Sequence, residues 1–576
     1  MPEKTTAYLK PVEATQKSLS FCAARERDLT DWVGELPVVN LAETGRRLYG
    51  ALRELNQLKS SPQDRLAFLN ILAPSVEYAA DGLFRRHLDS LYNLDDTERK
   101  VAGLAQALHV ELATGYKSVA LDAGTTWALS RKETVARALH HCTWALLPNL
   151  KRALSLYLPA PTGLWGELHQ LYRVARKAET ARTEFPWQDK ASTLEQGYFA
   201  ALLLSTSQTF QLQKHELDPL FRACVTWSRF IKLARAPDGV YLIEPNSDSA
   251  PQYITEYTTL LPDSLCLDTR ALVRAIKEKR EQLPAVHGFS DRLADHLALA
   301  WDRAQPRRFR RQEAEGRIGV TVGLSAVHKL LSGGQTFESY VRQYRDTKLV
   351  DDPEQRFAAR ATRTELANRD VWEDSFDAGL NAIPTIQMDT AKLEEEFVDV
   401  SPVTEYGAVL RDKSPRGYCL QWPGETPNNL VTGELIAVRD ERSKHRTIGL
   451  IRWVRKAPGE GLLIGVELLS PNAQACAVRV LNKTGKHSDF LRSIALPEIK
   501  AIAQPESVII PRLAIKVGQK AQLYRQGKEH AYRLTQKITE TSAVGQFSIV
   551  PIQNNLDKAA EPKKTEWTED PLWRAF

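Results

Sequence analysis

Hydrophobic positions recur with a helical period along the first half of the chain. In the segment after Ser61, the apolar residues Leu66 and Leu69 lie three positions apart, while Ser61 and Pro62 fit an N-cap and a first helical position. The segment DDTERKVAGLAQALHVELATG begins with acidic residues and repeats the same spacing. Residues 1–300 are therefore predicted to form an all-α domain of antiparallel helices, with a short β excursion or loop where turn residues accumulate near its end.

The period changes towards two residues after about position 318. Short segments with alternating apolar residues then follow one another with polar turns between them, which is typical of a small antiparallel β-barrel. The segments are RIGVTVGL, YGAVLRD, GYCLQW, GELIAVR, TIGLIRWVR, LLIGVELL and CAVRVLN. A helical and acidic stretch at about 325–400 separates the first two, and we predict that it is an insertion in a loop between them.

A second β-rich unit is predicted after the first barrel, with a hairpin turn at Gly527 in RQGK. The fold class is therefore α+β multidomain. We expect a helical domain over 1–300, a first β-barrel with its helical insertion over 301–485, a second small β-rich domain resembling a barrel over 486–552, and a flexible, aromatic-tipped tail over 553–576.

Composition and charge exclude several classes of protein. The formal charge of +6, from 77 basic and 71 acidic residues, is small for 576 residues, so overall charge does not indicate a nucleic-acid partner. No run approaches the roughly 20 apolar residues that span a bilayer, and the N-terminus has no apolar signal core. The six cysteines form no CxxC pair and fit reduced thiols. We predict a soluble, cytoplasmic bacterial protein without a membrane span.

No motif with catalytic chemistry stands out. The chain contains no GxSxG, HExxH or P-loop pattern. The stretch LHHCTW brings His140, His141 and Cys142 together, but adjacent histidines point in different directions on a helix and make a poor metal site. We predict that these three residues are buried or interfacial, and that the protein is not an enzyme and has no cofactor or metal.

Two charged clusters remain after these exclusions. RRFRR (307–311) comes directly before the first predicted barrel strand, and DKSPRG (412–417) lies between two predicted strands. Taken singly, the first fits a solvated basic segment and the second a hairpin turn whose Asp and Ser bond their own backbone. Taken together, their charged and hydroxyl side chains also fit a site for a charged ligand, with a glycine that lets the ligand approach the backbone closely.

Together the two clusters resemble the PilZ domain, the bacterial receptor module for cyclic di-GMP. That family carries an RxxxR segment before its first barrel strand and a [D/N]xSxxG turn later, and RRFRR and DKSPRG fit these patterns. The strands IGLIRWVR and LIGVELL are similar to later strands of the family. The family usually places its two motifs much closer than the roughly 100 residues found here, and the predicted insertion accounts for the difference. The resemblance implies a ligand site formed by Arg307, Arg308, Arg311, Asp412, Ser414, Arg416 and Gly417.

The resemblance implies a cytoplasmic effector that couples cyclic di-GMP binding at the barrel to a protein partner. The unidentified partner would bind the helical domain or the C-terminal aromatic tail, and nucleotide would order the arginine segment and reorient the helical domain. The alternative is a non-enzymatic helical scaffold whose degenerate PilZ-like domain docks proteins without nucleotide. A nucleic-acid interface at RRFRR is disfavoured because Phe309 is its only aromatic residue.

Overall fold

The computed structural model divides the chain into two compact units, which are Met1–Val322 with Glu405–Leu469, and Gly323–Thr404 with Ser470–Phe576. The residues that the structure describes are 8–10, 12–86, 96–124, 129–188, 190–236, 238–255, 258–302, 311–342, 403–440, 445–457, 461–481, 488–499, 504–513 and 515–552. Arg307 and Arg308, most of the predicted insertion and the predicted tail therefore lie outside the described residues.

The first half of the chain is helical, as its sequence pattern predicts. Among the described residues, ten helices surround one continuous hydrophobic core: α1 (Glu26–Gly34), α2 (Leu41–Gln57), α3 (Pro62–Arg86), α4 (Asp96–Gly124), α5 (Leu129–Ser155), α6 (Leu164–Lys177), α7 (Leu194–Thr206), α8 (Lys214–Trp227), α9 (Arg270–Glu278) and α10 (Asp291–Ala300). Ser61 caps α3, as predicted, because its hydroxyl oxygen accepts the Asp64 amide at 3.1 Å. Among the described helices, none is both long enough and apolar enough to cross a bilayer.

Short strands interrupt the helical region. A hairpin joins β1 (Glu184–Trp187) to β2 (Lys190–Thr193), and a four-stranded antiparallel sheet follows. Its strands are β3 (Lys232–Arg235), β4 (Tyr241–Ile243), β5 (Gln252–Tyr253) and β6 (Leu265–Asp268), in the order β3-β6-β4-β5. This sheet is the β excursion predicted near the end of the helical domain.

The helical domain ends at Trp301, which is buried and held by hydrogen bonds. Trp301 is fully buried, and its indole Nε1 donates a hydrogen bond to the carbonyl of Leu203 at 3.2 Å. The Thr269 hydroxyl donates to the Trp301 carbonyl, and the Tyr241 and Tyr253 hydroxyls donate to the carbonyl of Ala300. The chain therefore leaves the helical core from a fixed point at Trp301, a few residues before the arginine segment in sequence.

The first predicted barrel is a closed six-stranded antiparallel barrel. Its strands are β7 (Gln312–Val322), β8 (Tyr406–Ser414), β9 (Gly417–Trp422), β10 (Leu435–Asp440), β11 (Thr447–Ala457) and β12 (Gly461–Ser470), in the order β10-β11-β12-β9-β8-β7. Alternate apolar side chains such as Val320, Leu420 and Ile464 fill its interior. Because β7 and β8 are neighbours, the inserted stretch enters between the first and second strands.

The seventh strand predicted for this barrel, CAVRVLN, lies elsewhere. β7 pairs with β10, so six strands already close the barrel and leave no edge for another. The segment forms β13 (Gln474–Leu481) of a second closed barrel, and the predicted domain boundary at 485 is therefore wrong. The other strands are β14 (Leu491–Leu496), β15 (Ser507–Pro511), β16 (Lys520–Arg525), β17 (Lys528–Glu540) and β18 (Val544–Pro551), in the order β13-β14-β15-β18-β17-β16. Gly527 forms the turn between β16 and β17, as predicted.

The start of the inserted stretch belongs to the second barrel's unit. Helix α11 (Leu324–Leu331) and a further helical segment at 337–342 pack against that barrel. Tyr340 donates its hydroxyl to the carbonyl of Ala475 at 2.8 Å, and His328 hydrogen-bonds the carbonyl of Cys476 at 3.2 Å. The predicted helical content at the start of the insertion is therefore present.

Candidate functional site

Arg311 and Asp412 meet at one end of the first barrel. Arg311 directly precedes β7, while Asp412 lies near the end of β8, and antiparallel pairing brings these two strand ends together. The Arg311 Nη1 atom is 3.1 Å from Asp412 Oδ2, although the residues are 101 positions apart. The inserted stretch joins the opposite ends of the same strands. It therefore does not separate the two predicted motifs.

A bulge in β8 decides which way Asp412 faces. Leu410 pairs with Leu420 inside the barrel, but the register shifts before Asp412, which pairs with Cys419. Side chains of directly opposed residues share a face, and Cys419 alternates with the inward Leu420, so Asp412 faces outwards. Ser414, which pairs with Gly417, has the same orientation. The acidic and hydroxyl groups of the motif consequently lie on the outer wall of the barrel.

The turn from β8 to β9 is held by local hydrogen bonds. The Ser414 hydroxyl donates to the carbonyl of Gly417 at 3.2 Å, and the amide of Leu468 donates to the carbonyl of Arg416 at 2.9 Å. The Arg416 side chain is exposed. A Cβ at Gly417 would lie 2.7 Å from the carbonyl oxygen of Val466, so the neighbouring strand itself requires glycine at this position.

One oxygen of the Asp412 carboxylate is available for an additional donor. Oδ2 faces Arg311, whereas Oδ1 is buried and accepts no hydrogen bond from any residue that the structure describes. A buried carboxylate oxygen without a donor carries a desolvation cost that a ligand N–H group would relieve. The site therefore combines a guanidinium, a carboxylate oxygen that can accept a further hydrogen bond, and a hydroxyl on the outer wall of the barrel.

The two strands next to this turn extend the outer wall with residues that sequence reasoning missed. Glu467 pairs with Gly417 across the strands and forms an ion pair with Arg452 on β11. The indole of Trp453 lies against Gly465, where any Cβ would overlap the ring. The glycines in IGLIRWVR and LIGVELL were the available signal, because a glycine within a strand often marks a close approach.

Tyr418 lies inside the barrel at the same end, and its pKa is raised above the ordinary value. Tyr418 pairs with Val466, and its ring packs against the apolar core. Burial raises the pKa of Tyr418, and the nearby Asp440 carboxylate adds to that effect. No group of three or more His, Cys, Asp or Glu side chains in the described part of the chain is placed to hold a metal ion.

The structure describes five of the seven predicted site residues. The structure brings together Arg311, Asp412, Ser414, Arg416 and Gly417, while Arg307 and Arg308 fall outside the described residues. The histidine pair that we set aside is buried, as predicted, with His140 and His141 at 1% and 5% exposure and Cys142 at 0%. The expectation that the two rings point apart is wrong, because their Nδ1 atoms are 2.9 Å from each other.

Comparison with known proteins assigns the chain to a family. Residues 27–238 match the family model for the N-terminal domain of the cyclic-di-GMP receptor FimW, residues 240–475 match its middle PilZ domain, and residues 476–552 match its C-terminal β-barrel domain. The Cyclic-di-GMP receptor FimW of Pseudomonas aeruginosa (strain PAO1) is 31% identical over 604 aligned residues, which cover 98% of each chain. The chain belongs to the FimW family. No solved structure matches it.

One boundary between the FimW family models lies close to the division between the two barrels, whereas the other lies within the helical domain. The boundary between 475 and 476 falls within β13, close to the division between the barrels. The boundary between 238 and 240 instead cuts the four-stranded sheet, since β3 precedes it and β4 follows it. The middle-domain match thus includes residues 240–301, whose apolar side chains join the helical core.

Proposed function

We propose that this chain is a receptor for cyclic di-GMP and that the nucleotide binds on the outer wall of its PilZ barrel. The proposed site consists of Arg307, Arg308, Arg311, Asp412, Ser414, Arg416 and Gly417. The observation that carries the proposal is the contact between Arg311 and Asp412, because it unites the RxxxR segment with the DxSxxG turn. The name of the Pseudomonas aeruginosa relative, a cyclic-di-GMP receptor, supports the same ligand.

The chemistry of the nucleotide fits the groups at this site. Cyclic di-GMP presents two phosphates and two guanines, and arginine can fork onto a phosphate or onto guanine O6 and N7. The open Oδ1 atom of Asp412 can accept from the N–H groups of a guanine edge. Ser414 supplies a hydroxyl, and Gly417 lets the ligand approach the backbone.

Nucleotide binding would replace one interaction of Arg311 with another. In the structure, the guanidinium is paired with Asp412 while 37% of the Arg311 side chain remains exposed. An exposed pair of this kind contributes about 0–1 kcal/mol, whereas hydrogen bonds to a charged phosphate are worth about 1.5–3 kcal/mol. Exchange of partners is therefore favourable, and Arg311 can close onto the ligand at small cost.

Calorimetric titration with cyclic di-GMP tests the proposal. We expect Arg311→Ala to weaken binding about tenfold or more, because a charge-assisted contact is lost. Arg317→Ala is the matched control, since Arg317 is an exposed arginine on the same strand, outside the site. A full-length protein that gives no binding heat at high micromolar nucleotide would overturn the proposal and favour the protein-docking scaffold.

The receptor role is one of binding and not of catalysis. We propose that nucleotide binding is coupled to an unidentified protein partner through the helical domain or the C-terminal tail. A reducing, cytoplasmic environment is consistent with the six cysteines, all of which are free thiols. Affinity capture with and without cyclic di-GMP, followed by direct binding of purified candidates, tests the coupling. A partner whose affinity is the same in both conditions would contradict it.

A further inference from the structure

The helical domain contacts the PilZ barrel through a small set of hydrogen bonds. The Thr432 hydroxyl donates to the carbonyl of Phe210 at 3.2 Å, and the Gln213 side-chain amide donates to the carbonyl of Thr432 at 3.2 Å. A second contact joins the amide of Lys456, at the end of β11, to the carbonyl of Tyr157 at 3.0 Å. Thr432 is 5% exposed, so its hydrogen bonds to the helical domain are shielded from solvent.

On the helical side, the two contact points are connected to each other. The hydroxyl of Tyr157 donates to the carbonyl of Leu212 at 2.9 Å, which lies between the two residues that meet Thr432. Tyr157 is buried and has a φ of 55°, a left-handed conformation that a tyrosine rarely adopts. Packing and hydrogen bonding therefore fix the position of Tyr157. A displacement at the Lys456 contact would consequently also displace the segment that contacts Thr432, and the reverse.

On the barrel side, the same contacts lead towards the candidate site. The amide of Gly433 donates to the carbonyl of Ile451 at 2.7 Å, and the amide of Ile451 donates to the carbonyl of Glu434 at 3.0 Å. These bonds fasten the loop that carries Thr432 to the middle of β11. The next residue, Arg452, pairs with Glu467, which lies opposite Gly417.

We propose that β11 and Thr432 transmit the response to nucleotide from the outer wall of the barrel to the helical domain. Thr432 and Tyr157 act as positioning residues, since neither belongs to the proposed ligand site. The inference rests on the proposed function. Its physical basis is a continuous series of packed and hydrogen-bonded groups, running from Gly417 through Glu467, Arg452 and Ile451 to Thr432.

Removal of one hydroxyl tests the transmission. Thr432→Val preserves shape but deletes the donor to Phe210, while Thr432→Ser restores the donor in a smaller side chain. Thr432→Ser is the matched control, because it changes the same side chain and keeps the hydroxyl that donates to Phe210. Hydrogen–deuterium exchange of the full-length protein, with and without cyclic di-GMP, measures protection at residues 153–158 and 208–213. Calorimetry on the same variants measures nucleotide affinity.

In the unmodified protein, we expect cyclic di-GMP to change exchange in both helical segments. Thr432→Val should abolish the change at 208–213 and shift nucleotide affinity by about two- to tenfold, since coupling is reciprocal and one hydrogen bond is removed. Thr432→Ser should behave like the unmodified protein.

Three results would overturn the inference. If cyclic di-GMP binds but leaves exchange at both helical segments unchanged, the receptor function stands and the transmission is refuted. The same conclusion follows if Thr432→Val retains the full response and affinity. If no nucleotide binds at all, both the proposed function and this inference fail.

Discussion

Gly417 and Val466 approach each other so closely that a methyl group on Gly417 would lie 2.7 Å from the Val466 carbonyl oxygen. The glycine of the DxSxxG turn therefore has a structural role before any ligand is considered. It allows β9 to pair with β12 at the point where the barrel wall carries Asp412 and Ser414. The backbone of β12 cannot yield in the way a flexible side chain can.

We predict that Gly417→Ala destabilises the barrel by about 1–3 kcal/mol, because the added methyl group meets backbone. Gly407→Ala is the matched control, since Gly407 lies on β8 and a Cβ there meets nothing within 4 Å. Urea denaturation followed by tryptophan fluorescence measures both free energies of unfolding. Equal stabilities for the two variants would show that the strands separate readily at Gly417.

A second prediction separates the charge of Asp412 from its hydrogen-bonding capacity. Asp412→Asn removes the ion pair with Arg311 but keeps an acceptor oxygen, whereas Asp412→Ala removes both. The pair is partly exposed, with 37% and 25% of the two side chains accessible, so loss of the charge should change the free energy of unfolding by less than about 1 kcal/mol.

We expect Asp412→Asn to retain nucleotide affinity within about tenfold, and Asp412→Ala to bind more weakly than Asp412→Asn, because only the latter keeps an acceptor for a guanine N–H group. Calorimetric titration of both variants with cyclic di-GMP measures the difference. If the two variants bind equally weakly, the negative charge is the essential feature and the acceptor assignment is wrong.

The strands of the first barrel could be predicted because each has a local alternating pattern. Closure could not, since it depends on the pairing of β7 with β10, which are far apart in sequence. This is why CAVRVLN, whose pattern resembles that of the other strands, was predicted for the wrong barrel. Periodicity identifies a strand but does not identify its neighbours.

The candidate site shows the same division between local and long-range information. The motifs themselves were visible in the sequence, and the insertion explained their separation. The outward direction of Asp412 was not visible, because simple alternation from Ala408 and Leu410 would have turned it into the core. A register shift reverses that direction, and only the pairing of β8 with β9 reveals the shift.

A third prediction concerns the buried histidines of the helical domain. Burial lowers the pKa of His140 to about 4 and that of His141 to about 3, with His140 and the positive charge of Arg137 adding to the shift at His141. In the unfolded chain both titrate near their ordinary value of 6.5. As pH falls below 6.5, the unfolded state binds protons that the folded state resists, so stability decreases between pH 6.5 and about 4.

We expect each histidine to contribute up to about 1.4 kcal/mol per pH unit to that decrease. His140→Gln should reduce the slope of unfolding free energy against pH, whatever its effect at pH 7. His287→Gln, at an exposed position, serves as the control and should leave the slope unchanged. Urea titrations from pH 7 to pH 4.5 measure the slopes, and an unaltered slope in His140→Gln would contradict the prediction.

A fourth prediction tests the fit between Trp453 and Gly465 on the outer wall. Gly465→Ala should destabilise the barrel by about 1–3 kcal/mol, because the new methyl group would overlap the indole ring. Trp453→Ala removes the ring and leaves space for that methyl group. The double variant should therefore be more stable than the sum of the two single effects predicts, by more than about 0.5 kcal/mol. A double-mutant cycle of urea denaturation measures this difference, and strict additivity would mean that the indole moves aside without cost.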